Sequence, residues 1–90
     1  MIFISLNKAV GGVKITRKMA ADGDKLAKQL SKEGIKILGQ YWTLGRYDSV
    51  WIFEAPNEKT AMKLGVAVSE AVKTETLVAV TREDALELLE

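Results

Sequence analysis

Apolar residues fall in short bursts along this chain, and the spacing inside each burst predicts its element. Ile2 to Leu6 is short, apolar and β-branched, which predicts a first strand. Asn7 to Lys14 reads as a loop with Gly11-Gly12 as its flexible point. From about Thr16 to Lys32, Met19, Leu26, Ala27 and Leu30 recur at helical spacing and predict an amphipathic helix. Asp22-Gly23-Asp24 weakens its first half and allows a start near Asp22, while Gly34 is a good stop. Ile35 to Thr43 is the second predicted strand, Leu44 to Asp48 a turn, and Ser49 to Glu54 the third strand. Ala55-Pro56-Asn57 ends it, with Asn57 as the cap of a helix over Glu58 to Val72. Ala61, Leu64, Gly65, Val68 and Val72 line one face of that helix. Thr74 to Val80 is the fourth strand. Thr81 then fits a capping position, with Asp84 three residues on, ahead of a short terminal helix over Ala85 to Leu89.

Strand, helix, strand, strand, helix, strand and a helical tail is the order of a ferredoxin-like α+β sandwich. In that βαββαβ fold both helices cover one face of an antiparallel four-stranded sheet. The strands here do not alternate apolar with polar. Val50 and Ile52 share one face, while Trp51 and Phe53 share the other. Strict alternation also groups Ile35, Ile37, Gly39 and Tyr41 against Lys36, Leu38, Gln40 and Trp42. A sheet apolar on both sides needs a second cover. The expectation is that Phe3, Trp42, Trp51 and Phe53, with Val78 or Val80, lie on the open face and form a subunit interface. The implied partner is a second copy of the chain, in a homodimer or a larger homo-oligomer.

Ninety residues make one domain, 1–90, with a thin core that a partner subunit would help to stabilise. There is no cysteine and no histidine. Disulfides, thiolate nucleophiles, zinc sites built on Cys or His, and imidazole acid–base chemistry are thereby excluded. No pattern calls for a metal or bound cofactor. Net charge is +1, which recruits neither nucleic acid nor anionic lipid. Met1 to Leu6 is too short for a signal sequence and no apolar run approaches a membrane span, so a cytoplasmic protein is expected. Charge is uneven locally. Lys8, Lys14, Arg17 and Lys18 precede the first acid, Asp22. They read as a solvated loop, as an anion site beside the glycines, or as a contact for the acidic tail of Glu83, Asp84, Glu87 and Glu90.

Candidate chemistry concentrates in Gly45-Arg46-Tyr47-Asp48. The simplest reading is a hairpin turn, in which Gly permits a positive φ and Asp accepts backbone hydrogen bonds. The sharper reading places the turn at the mouth of a small-molecule pocket. There Arg46 holds an anion, Tyr47 and Tyr41 donate hydrogen bonds, and Asp48 or Tyr47 handles a proton in a cofactor-independent enzyme. An aspartate needs burial to become a useful base near neutral pH. Glu75 reads as an edge-strand charge that deters unwanted pairing. Phe3, Trp51 and Phe53 also resemble the aromatic platform of the RNA-recognition motif, whose element order is the same. The basic and glycine positions of that motif's third strand are mostly missing, and the near-neutral charge disfavours RNA.

Three segments taken in order carry a further resemblance: Tyr41-Trp42-Thr43-Leu44-Gly45-Arg46-Tyr47-Asp48, then Glu54-Ala55-Pro56, then Thr74-Glu75-Thr76-Leu77. Together they resemble the GYD domain family, named for a turn that here is Gly45, Tyr47 and Asp48. The resemblance covers about the last two-thirds of the chain; the first third matches in outline only. It implies a ferredoxin-like fold similar to the dimeric α/β-barrel proteins, in which two sheets pack face to face. The family's function is uncharacterised. Related barrel families include small-molecule monooxygenases, isomerases and haem enzymes; the haem branch relies on a histidine that this chain lacks.

Overall fold

In the computed structural model, which describes residues 1–11 and 14–89, the elements follow the predicted order. They are β1 (Ile2–Ala9), α1 (Arg17–Ser31), β2 (Lys36–Trp42), β3 (Ser49–Glu54), α2 (Glu58–Ala67), β4 (Val72–Ala79) and α3 (Arg82–Leu88). Gly12 of the expected flexible point and Glu90 of the acidic tail lie outside the described residues. The sheet order is β2-β3-β1-β4, antiparallel throughout, which is the ferredoxin-like arrangement. None of the described helices is long and apolar enough to cross a membrane.

Each helix starts at a side-chain cap. Thr16 accepts from Met19 N at 3.2 Å, Asn57 from Thr60 N at 2.8 Å, and Thr81 from Asp84 N at 3.1 Å. α1 runs unbroken through Gly23, so the weak point at Asp22-Gly23-Asp24 does not delay its start. α2 ends at Ala67, earlier than the expected Val72. β1 continues to Ala9, past the expected end at Leu6, and its last residue pairs with Val72. Sheet pairing therefore claims Val72, and residues 68–71 form the turn that leads into it. Gly34 (φ +93°) and Gly45 (φ +105°) supply the two left-handed turns, after α1 and between β2 and β3.

The faces of the sheet reverse one expectation. Residues directly opposed on neighbouring strands point to the same side. Phe3 opposes Phe53, Ser5 opposes Trp51, and Asn7 opposes Ser49. β2 adds Ile37, Gln40 and Trp42 to this row. Phe3 and Phe53 are 2% and 1% exposed, and they cluster with Leu30 of α1 and with Ala61 and Leu64 of α2. Phe3, Trp42, Trp51 and Phe53 thus share a face as expected, but it is the helix side of the sheet, where Trp42 on the outer strand stays 65% exposed. They do not form the open surface, and Phe3 and Phe53 have no ring face free for a base to stack on. Val78 follows Phe3 onto the covered side and stays exposed at the edge, while Val80 lies beyond β4 and is also exposed. The physical reason is size. Rings bury about 150–250 Å² each, more than the aliphatic set, and the helix side takes Phe3 and Phe53 fully and Trp51 in part.

The open face carries Ile2, Ile4, Leu6, Val50 and Ile52 on the two central strands, flanked by Leu77 and Tyr41. Tyr41 arrives there through a β-bulge. Pairing passes from Ile37–Phe53 to Gly39–Ile52, so Leu38 is an extra residue. The bulge turns Gly39 and Tyr41 away from Ile35 and Ile37, against strict alternation, and puts Gln40 and Trp42 on the helix side of the sheet, where both remain exposed. The Tyr41 ring then lies over Gly39: a Cβ added there would sit 3.0 Å from Tyr41 Cε2.

Candidate functional site

A cavity of about 410 Å³ opens between the covered face of the sheet and both helices. Ser5, Asn7, Ser49 and Trp51 form its floor on β1 and β3, and Gln40, Trp42 and Thr74 extend it across the outer strands. Met19, Gly23 and Leu26 of α1 face Leu64 and Ala67 of α2 above it. Gly23 lies beside the Trp51 ring, and a Cβ there would make ordinary contact with the ring at 3.9 Å.

The floor is polar where a covered strand face is normally apolar. Ser5 and Asn7 are 3% and 6% exposed, and burial of such groups demands partners. The Ser5 hydroxyl donates to Asn7 Oδ1 at 2.7 Å. Asn7 Nδ2 donates to the Ser5 carbonyl at 3.3 Å and to Ser49 Oγ at 3.2 Å. Because a carbonyl can only accept, it fixes which end of the Asn7 amide carries hydrogens. Sequence reasoning missed Ser5, Asn7 and Ser49. Alternation of Ser5 and Asn7 with Ile4 and Leu6 is the pattern of a solvent-facing row, and it conceals a buried polar site. The available signal was Phe3, an aromatic residue in that same row.

The turn residues divide between the two sides. Asp48 lines the cavity wall, but its carboxylate is engaged: Oδ2 accepts from Ala9 N at 2.7 Å. Its amide donates to the Asn7 carbonyl at 2.8 Å, and its carbonyl accepts from Thr43 N at 3.0 Å. Asp48 therefore ties the turn to the end of β1, which is the backbone role the simplest reading assigns it. Losing a charge-assisted bond of this kind costs about 1.5–3 kcal/mol. Urea unfolding should show that loss for Asp48→Ala and a smaller one for Asp48→Asn, whose amide oxygen still accepts. Equal stability in all three proteins would remove the backbone role.

Arg46 and Tyr47 do not line the cavity. Tyr47 OH donates to Glu75 Oε2 at 2.5 Å, with Glu75 paired to Leu6 on the open side of the sheet. This bond, then desolvation and the nearby carboxylate charge, pushes the Tyr47 phenol above its ordinary value of 10.0. The Arg46 guanidinium sits 5.7 Å from the Tyr47 ring centroid, and Lys8 Nζ donates to the Arg46 carbonyl at 3.2 Å. Tyr41 borders the cavity, but its ring lies over Gly39 on the open side of the sheet. Of the four residues expected at a pocket, the fold thus brings Asp48 to the cavity and turns Arg46, Tyr47 and the Tyr41 ring away from it.

The charge of the cavity is one-sided. Asp22 and Asp24 join Asp48 in its lining, and the described lining residues include no lysine or arginine. Among the described residues no group of three or more acidic side chains is arranged to hold a metal ion.

Comparison with curated proteins gives no match, and neither does comparison with solved structures. The family comparison does give one, and it extends well beyond the segments around the turn. The model of the GYD domain matches residues 3–89, from β1 through α3, and the chain belongs to the GYD domain family.

Proposed function

We propose that the protein binds a small, mainly apolar molecule in the cavity between sheet and helices, as a homo-oligomer joined through the open face of the sheet. The observation that carries the binding reading is the buried Ser5–Asn7–Ser49 network at the floor of a 410 Å³ space. Apolar walls with a few placed polar groups, in a volume of this order, are the usual make-up of a small-molecule site. A core built for stability alone would carry apolar residues at Ser5 and Asn7, because each buried polar group must be compensated.

Trp42 and Trp51 both line the cavity and report on its occupancy. Titration with toluene should change tryptophan fluorescence saturably. Gly23→Leu directs a side chain past the Trp51 ring into the space and improves helix propensity by roughly 0.8 kcal/mol. That variant should stay folded by circular dichroism and weaken the toluene response at least ten-fold. A response that survives Gly23→Leu unchanged would place the binding elsewhere.

The open face favours a second copy as its cover. Its centre is aliphatic, with Ile4, Leu6, Val50 and Ile52 opposed in adjacent strands. Charges of both signs sit around it: Lys8 and Lys73 at one end, Lys36 and Glu54 at the other, and Glu75 on β4. An apolar centre with a rim carrying both signs suits an isologous contact, in which one patch must complement itself.

A further inference from the structure

We infer that the cavity selects a neutral ligand bearing a hydrogen-bond-accepting oxygen, and that the Ser49 hydroxyl is the donor that orients it; this rests on the cavity being the binding site. The direction of the hydrogen bonds carries the argument. The Ser5 carbonyl obliges Asn7 Nδ2 to donate, so Ser49 Oγ accepts from Asn7. The Ser49 hydroxyl then has its own hydrogen left over, and among the described residues no acceptor takes it. A ligand that displaces water from Ser49 without replacing that bond leaves a donor unsatisfied, which works against binding. A ligand with a carbonyl, ether or hydroxyl oxygen at that point satisfies it.

Charge narrows the class further. An anionic oxygen would also accept from Ser49, but the lining holds Asp22, Asp24 and Asp48 with no lysine or arginine among its described residues. Taking a carboxylate or phosphate from water into such a wall has no compensating cation. An ammonium group suits the carboxylates but cannot accept from Ser49. The chemistry left is a neutral, mostly apolar molecule with an accepting oxygen, such as an aryl ketone.

Acetophenone, benzoate and ethylbenzene share a ring and differ only in this respect. In a ¹H–¹⁵N NMR titration of the full chain at neutral pH, acetophenone should shift the amides of Asn7, Ser49 and Trp51, and benzoate should bind at least ten-fold more weakly. The affinity ratio of acetophenone to ethylbenzene should fall about five-fold in Ser49→Ala, the equivalent of one neutral hydrogen bond of about 1 kcal/mol. Ser49→Thr, which keeps a hydroxyl, should retain the ratio. Benzoate binding as tightly as acetophenone overturns the inference even if Ser49→Ala fails to fold, and so does an unchanged ratio in a folded Ser49→Ala. Ethylbenzene binding alone would refute the donor role while leaving the cavity reading standing. If none of the three moves the cavity resonances, both readings fall together.

Discussion

Phe53→Ala should lower the free energy of unfolding by about 3–5 kcal/mol, the range for truncating a fully buried aromatic residue. Phe53 is 1% exposed, and its ring stacks on Phe3 with centroids 5.4 Å apart and planes at 21°. Leu30, Ala61 and Leu64 close over the pair from both helices. A domain of this size has roughly 5–15 kcal/mol of stability in total, so the variant should be partly unfolded at physiological temperature. Phe53→Leu, which keeps most of the volume, should cost clearly less. Chemical denaturation of the three proteins measures this. A loss below about 1 kcal/mol for Phe53→Ala would mean that the ring is not in the core.

Ile52→Lys, one residue away, should have the opposite profile: a folded protein that no longer assembles. Ile52 points to the open side, where it is opposed by Ile4 and Gly39. α1 and α2 pack on the opposite face and Ile52 is only partly buried, so a lysine there can reach water in a single chain. In a contact between two copies the charge would be buried twice, once from each side. Desolvating an unpaired ammonium costs several kcal/mol, and even about 4 kcal/mol weakens association roughly 10³-fold. Sedimentation should show a multiple of the chain mass for the wild type and a single chain for Ile52→Lys, with matching circular dichroism. A monomeric wild type would refute the assembly. An oligomeric Ile52→Lys would move the interface off the open face.

Adjacent residues with opposite fates show where sequence reasoning stops. The alternation of β3 separates Val50 and Ile52 from Trp51 and Phe53, and the structure keeps that division. Which set meets the helices is a different question. Both sets are apolar, so periodicity has no polar row to mark the outside. Ser5 and Asn7 mislead for the opposite reason: a polar row on β1 suggests solvent, yet it floors a cavity. The bulge at Leu38 has one local mark, the adjacent Gly39, which does not by itself give the new register, and it exchanges the positions of Tyr41 and Trp42. Sites formed by residues as distant as Asn7 and Ser49 become visible only when the register of β1 against β3 is known.

Local signals account well for what is local. The caps at Thr16, Asn57 and Thr81, the glycine turns at Gly34 and Gly45, and the element order depend on side chains within a few residues of one another. Family membership is equally legible, because the resemblance rests on three short segments in chain order and needs no tertiary contact. The Gly45-Arg46-Tyr47-Asp48 turn carries part of that resemblance, but its side chains do not act as a unit. Asp48 closes the end of β1 by the cavity, while Tyr47 reaches Glu75 on the far side of the sheet. Successive residues of an extended segment point in opposite directions, so closeness in sequence does not bring side chains to one site. The helices decide which face closes, and that choice makes the cavity, its polar floor and the bare aliphatic surface behind it.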